Sequence, residues 1–213
     1  MIIDRIAKKD DSTVIIYLDN GEKLFLSYEV LLKSGLRKGT EISPDRFNFL
    51  VLQNRKYFIR QKAVTFLARR HHSKKELELK LRKKNYEKEL IDEVLNNMKV
   101  SGLIDDSSFA IQFAEEKLNR KKWGANKIKN ELFKRGISNE LVQDVMNKLA
   151  SQADQSEIAM LAAEKKYKMI VKREKDGLKI KQKVLAHLIS RGFTYEIASE
   201  TIKKINIIID NED

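Results

Sequence analysis

A chain of 213 residues with 42% apolar content is long enough to fill the cores of one to three small domains. Its formal charge of +12 and 35% charged residues, with an isoelectric point near 9.6, spread a positive field over the surface and favour acidic partners, nucleic acid above all. No cysteine is present, which excludes disulfides, thiolate metal sites and thiol catalysis. No run approaches the roughly 20 apolar residues of a membrane span, and the start Met1-Ile2-Ile3-Asp4-Arg5 lacks the basic and apolar regions of a secretory signal. The expected location is the cytoplasm.

Residues 1–54 read as a small β-sheet domain with short helices. Val14-Ile15-Ile16-Tyr17-Leu18 and Lys23-Leu24-Phe25-Leu26 are β-prone runs on either side of Asp19-Asn20-Gly21-Glu22. Asn-Gly is a strong hairpin signal, because both residues tolerate positive φ. Ile2, Ile3 and Ile6 supply a third strand. Tyr28 to Ser34 predicts a short helix stopped at Gly35, and Ser43-Pro44-Asp45 predicts another, with serine as N-cap and proline at the first helical position, carrying Phe47, Leu50 and Val51. Tyr17, Phe25, Phe47 and Phe49 are expected in the core.

Beyond Arg55 the pattern is helical to the end. Ala63, Phe66 and Leu67 have helical spacing; Ser73-Lys74-Lys75-Glu76 is a capping box that starts the next helix; Gly102 to Phe109 reads as a turn and a new N-cap. Three segments then share one layout. Laid over one another, Leu77-to-Met98, Ile128-to-Leu149 and Val184-to-Ile205 match Leu81 with Leu132 and Leu188, and Asn85 with Gly136 and Gly192. The latter three are the residue types that accept the left-handed conformation after a last helical turn. Tyr86, Ile137 and Phe193 follow where a Schellman end places its hydrophobic contact, and Ser138 and Thr194 cap the helices after them. Lys172 to Gly177, ahead of the third segment, contains five extra residues relative to the second unit, which a longer first helix or loop absorbs. The period of about fifty residues points to stacked helical units.

The expected fold is therefore mainly α. Three tandem three-helix units, at 55–100, 101–150 and 151–213, form an extended helical repeat array behind the small N-terminal β-sheet/α domain. The chain closes on Ile207-Ile208-Ile209 and a short acidic tail, Asp210-Asn211-Glu212-Asp213.

At three places the residues resemble a known family. They are Leu67-Ala68-Arg69-Arg70-His71-His72-Ser73-Lys74-Lys75-Glu76-Leu77; Gly102-Leu103-Ile104-Asp105-Asp106-Ser107-Ser108-Phe109-Ala110; and Asn119-Arg120-Lys121-Lys122-Trp123-Gly124 followed by Glu131-Leu132-Phe133-Lys134-Arg135-Gly136-Ile137. In order and spacing they resemble the RecX regulators of the bacterial RecA recombinase. The β-prone start is similar to the extension found in a subset of that family. The resemblance implies a modular, non-catalytic helical regulator in homologous recombination, DNA repair and the SOS response. Such a protein binds the recombinase filament on DNA and lowers its ATPase, strand-exchange and co-protease activities. Asn85 stands where the family usually has glycine, and Ser107-Ser108 where a charged pair is common. The third unit is the least similar.

The candidate contact residues are basic clusters repeated in the first two units: Arg69 and Arg70 with Arg82, Lys83 and Lys84, then Arg120, Lys121 and Lys122 with Lys134 and Arg135. Cations at helix ends offset the carbonyl dipole, which accounts for part of the pattern. If the two helix ends of each unit face a shared edge, repetition aligns them into a stripe suited to a phosphate backbone or an acidic groove. Trp123, the only tryptophan, either stacks on a base or packs as a staple over a helix start. His71 and His72 lack acidic or thiolate companions, so no metal site is expected. Asp105 and Asp106 read as an N-cap, and no phosphate-binding glycine loop or nucleophile elbow appears. A binding protein without cofactor or catalysis is expected, probing a RecA filament and single- or double-stranded DNA as a monomer. A free-standing nucleic-acid-binding protein with helix-turn-helix-like modules is the alternative.

Overall fold

The computed structural model describes residues 1–152 and 154–210, and side chains for these except Gln152 and residues 206–210. The Ile207-Ile208-Ile209 side chains and the tail beyond Asp210 lie outside it. Two compact units divide the chain, Met1–Ile104 and the part from Asp105 onward.

The first unit opens with an antiparallel sheet of three strands, β1 (Ile3–Lys8), β2 (Thr13–Leu18) and β3 (Lys23–Ser27), in the order β1-β2-β3. The two-residue side-chain period puts Ile3, Val14, Ile16, Leu18, Leu24 and Leu26 on the buried face. The same period turns Phe25 outward, 44% exposed, with the Lys9 ammonium 4.9 Å from its ring centre. Tyr17 also lies on the outer face, where the Arg5 guanidinium stands 4.1 Å from its ring. Phe49 is 57% exposed beside the buried Leu50. Of the four aromatics expected in the core, only Phe47 packs against it: on β2 and β3 the alternation turns Tyr17 and Phe25 outward and gives the inward places to aliphatic residues.

Helix α1 (Tyr28–Ser34) ends at left-handed Gly35 (φ 65°). Helix α2 (Pro44–Leu67) is capped by Ser43, whose Oγ accepts from the Arg46 N–H. It runs 24 residues, about 36 Å, without a break, so residues 54 and 55 lie within one helix. Its first half packs Phe47, Leu50 and Val51 on the sheet; its second half packs Ile59, Ala63, Phe66 and Leu67 against α3 (Lys74–Arg82) and α4 (Lys88–Val100). Between the halves, Asn54 clamps the sheet edge: its Oδ1 accepts from the Ser27 N–H and its Nδ2 donates to the Phe25 carbonyl, both at 2.8 Å.

The second unit holds α5 (Asp106–Asn119), α6 (Ala125–Lys134) and α7 (Asn139–Gln152), then α8 (Gln155–Ile170), α9 (Gly177–Ser190) and α10 (Tyr195–Asp210). Asp105 caps α5 by accepting from the Ser107 and Ser108 N–H groups. Buried residues from Phe109 to Ile205 form one core across all six helices. The extra length of the last three-helix segment goes mostly into α9, 14 residues against 10 in α6, where Asp176 caps the added turn and Lys183 pairs with Glu174 at 2.8 Å.

The three segments superposed in sequence keep one local geometry. Leu77, Ile128 and Val184 are buried, as are Leu81, Leu132 and Leu188, and Met98, Leu149 and Ile205. Burying such a side chain contributes about 1.5–3 kcal/mol. Asn85, Gly136 and Gly192 are all left-handed, with φ of 61°, 74° and 90°. At Gly136 and Gly192 the end is a Schellman motif: Ile137 and Phe193 donate to the carbonyls of Leu132 and Leu188 at 3.2 Å, and the two glycines to those of Phe133 and Ile189 at 2.9 Å.

Candidate functional site

In the first unit the basic residues lie at the two ends of α3. Exposed Arg69 and Arg70 precede it, Arg82 ends it, and Lys83 and Lys84 follow it, also exposed. Nine residues of helix, about 14 Å, separate them. The two clusters therefore stand about one short helix apart within this unit. Arg70 Nη1 donates to Glu76 at 2.9 Å and to the His71 carbonyl at 2.7 Å, while Arg82 approaches Glu78 at 3.8 Å. His72 is buried beside Phe66, with Nδ1 2.9 Å from the Arg70 carbonyl. Burial lowers its pKa by disfavouring the charged ring.

The second unit sorts its cations into two kinds. At the end of α6, Lys134 and Arg135 both bond to Glu131, and the Arg135 guanidinium lies 4.5 Å from the Phe113 ring centre. Arg135, then Lys134, hold the Glu131 carboxyl below its ordinary range. These two cations share one carboxylate. At the other end of α6 the arrangement differs. Arg120, Lys121 and Lys122, in the turn after α5, line a recess of about 410 Å³ with Lys165 and Lys166 of α8 and Arg191 at the end of α9. Among the described residues, Arg120, Lys121, Lys122, Lys165 and Lys166 make no ion pair.

Backbone contacts fix this recess. The Gly124 N–H donates to the Arg191 carbonyl at 2.8 Å, the Asn126 N–H to the Gly192 carbonyl at 3.2 Å, and Lys127 Nζ to the Ser190 carbonyl at 2.9 Å. The end of α9 thus meets the start of α6, each supplying what the other's terminus lacks. Arg191 Nη1 bonds the Lys121 carbonyl, and Lys122 holds a left-handed φ of 51°. Trp123 packs edge-on against Phe113, ring centres 6.3 Å apart, with the Lys127 ammonium 4.8 Å from its own ring centre. His187 lines the recess too. Burial first, then Arg191, Lys166 and Lys127, lower its pKa to about 4, so it is neutral at pH 7.

The sequence reading singled out Arg120, Lys121, Lys122 and Trp123 but missed Lys165, Lys166, His187 and Arg191. Arg191 occupied the same repeat position as Lys84 and Arg135. The adjacent lysines on α8 gave no periodic signal of their own. Among the described residues no group of His, Asp and Glu could hold a metal ion, and no helix is long and apolar enough to cross a membrane.

Three consecutive family models match this architecture: the first three-helix domain of RecX over residues 60–97, the second over 105–146 and the third over 153–202. The chain belongs to the RecX family. It is 29% identical to a regulatory protein RecX of Clostridium acetobutylicum, over 93% of this chain and 92% of that one. It is 28% identical to the regulatory protein RecX of Clostridium beijerinckii, over 98% and 96%. A crystal structure of regulatory protein RecX superposes with a TM-score of 0.72 at 23% identity, covering 95% of this chain and 98% of that one. RecX from Lactobacillus salivarius gives 0.58 at 24%, covering 73% and 99%. The RecX three-helix domains correspond to α2–α4, α5–α7 and α8–α10, and the basic recess lies where the second meets the third.

Proposed function

We propose that this RecX-family chain is a regulator that acts by binding: it lodges on the RecA–DNA filament and lowers its ATPase, strand-exchange and co-protease activities, without catalysis of its own. The observation that carries this reading is the presence, in order, of all three RecX three-helix domains, with exposed cations on the first and unneutralised ones where the second meets the third. Helical repeats present surface rather than an enclosed catalytic cavity, and cations unmatched by the chain's own carboxylates favour an acidic filament groove or a phosphate backbone. This reading places the protein in the cytoplasm as a monomer, in homologous recombination, DNA repair and the SOS response.

Recombinase ATPase on single-stranded DNA, measured with rising amounts of this protein, tests the proposal. The rate is expected to fall at substoichiometric protein. An unchanged rate at equimolar protein overturns the reading and leaves free-standing nucleic-acid binding, for which affinity alone falls with salt, by about 0.9 in log K per log salt for each duplex phosphate contacted.

A further inference from the structure

The recess between the α5–α6 turn, α8 and α9 has a composition that the fold does not require. Six cations face one space: Arg120, Lys121, Lys122, Lys165, Lys166 and Arg191. No carboxylate lines it. Glu116, the acid nearest in sequence, bonds Lys117 at 2.9 Å, and Lys117 first, then Arg120 and Lys121, hold its pKa down, so one carboxylate outside the recess is shared among several cations. Helix-end compensation accounts for only part of the cluster: Arg120, Lys121 and Lys122 follow the end of α5, but Lys165 and Lys166 lie inside α8, and the carbonyls of Ser190, Arg191 and Gly192 at the end of α9 already accept from Lys127, Gly124 and Asn126. The positive charge is therefore surplus to the chain's own needs, and holding it together costs mutual repulsion. The neutrality of His187 registers that field, since Arg191, Lys166 and Lys127 add to burial in lowering its pKa.

We propose that this recess is a phosphate site, in which Lys165, Lys166 and the Arg120–Lys122 turn hold the oxygens of a phosphoryl group, and Arg191 is aimed by its bond to the Lys121 carbonyl. A volume of about 410 Å³ falls within the roughly 300–1,000 Å³ of ligand sites. Leu161 and Met169, both exposed, stand beside the cations. Two sources share this chemistry, a phosphodiester of a nucleic-acid strand and a free compact polyphosphate. The biological ligand rests on the regulatory reading above; the site itself does not.

The test needs no recombinase. Full-length protein is titrated with a labelled single-stranded oligonucleotide, followed by anisotropy, and with pyrophosphate, followed by fluorescence of Trp123, the only tryptophan. Lys165→Gln/Lys166→Gln is compared with Lys148→Gln/Lys203→Gln, which removes the same charge from α7 and α10 outside the recess. The recess pair is expected to weaken phosphate-ligand binding about tenfold, and to lower the single-strand salt slope by about 0.7 to 1.4, one or two phosphate contacts. The control pair is expected to weaken it no more than about threefold. Tight oligonucleotide binding that pyrophosphate does not displace beyond chloride at equal ionic strength, or equal losses from both pairs, overturns the site in favour of diffuse charge. Binding of an oligoglutamate peptide that depends on the recess while neither phosphate ligand binds overturns it in favour of a carboxylate partner. Pyrophosphate alone binding assigns the free ligand; the oligonucleotide binding and displaced by pyrophosphate assigns the strand. Recombinase ATPase of the same variants separates failure of this site from failure of the regulatory reading, since direct binding is retained in the second case.

Discussion

Gly124 and Gly192 lie backbone against backbone: a β-carbon built on Gly124 would stand 2.5 Å from the Gly192 carbonyl oxygen, and one built on Gly192 would stand 2.4 Å from the Lys127 backbone nitrogen. This contact joins α6 to the end of α9. Gly192 meets two demands at once, a left-handed φ of 90° and a close approach, whereas Gly124, with φ of −73°, meets only the second.

Gly124→Ala is therefore expected to destabilise the second unit by about 1–3 kcal/mol through overpacking alone, and Gly192→Ala by more, since backbone strain of about 1–2 kcal/mol is added. Gly177→Ala is the control: nothing lies within 4 Å of a β-carbon there, and it begins α9. It should be neutral or mildly stabilising. Denaturant melts followed by Trp123 fluorescence report the unit directly; a Gly124→Ala midpoint equal to that of Gly177→Ala would show that the joint relaxes freely.

The helix ends were legible because their chemistry is local. Ser43, Ser73, Asp105, Gly35 and the Asn85, Gly136, Gly192 series act within three or four residues of themselves. The recess was not legible, because Arg120–Lys122 and Lys165, Lys166 and Arg191 are far apart in the chain and meet only through packing. Phe25 and Phe49 misled for a related reason: hydrophobic identity alone does not say which of two neighbouring residues faces inward. Asn54 gave no sign of its clamp, since a polar residue inside a helix usually faces water.

Asn54→Ala tests that clamp. Removing the amide leaves the Ser27 N–H, on a residue with no exposed surface, without the partner it has now. A loss of about 1–3 kcal/mol in the first unit is expected, the cost of an unsatisfied buried donor. Native-state hydrogen exchange supplies a local readout, because the Ser27 amide should exchange faster while amides of α4 keep their protection. Unchanged exchange at Ser27 would mean that water replaces the side chain.

Asn85 holds φ of 61° where the other two repeats have glycine, so Asn85→Gly should leave the first unit as stable or more stable, by up to about 1 kcal/mol. Asn85→Val should lose more than about 1 kcal/mol, because a β-branched side chain is poorly accommodated there. Far-ultraviolet dichroism melts rank the three chains. Asn85→Val melting with the parent would show that the turn gives up its left-handed residue cheaply.

His187 makes the stability of the second unit depend on pH in a defined window. Its folded pKa of about 4 lies below its ordinary 6.5, so between those values the unfolded chain takes up a proton that the folded chain refuses. Stability is full above 6.5 and falls as pH drops toward 4. The opposing charges come from Arg191 on its own helix, Lys166 on α8 and Lys127 on α6, with Arg120, Lys121, Lys122 and Lys165 also lining the recess. Glu131 has a depressed pKa too, but its contribution is lost only below its ordinary 4.5. The interval from about 6.5 to about 5 therefore isolates the histidine. His72 acts in the same direction in the first unit, where Trp123 fluorescence does not report. Melts of the parent chain followed at Trp123 should lose stability across that interval, and His187→Gln, which cannot titrate, should flatten the profile. Identical slopes for the two chains would show that the recess accepts a protonated His187 without penalty.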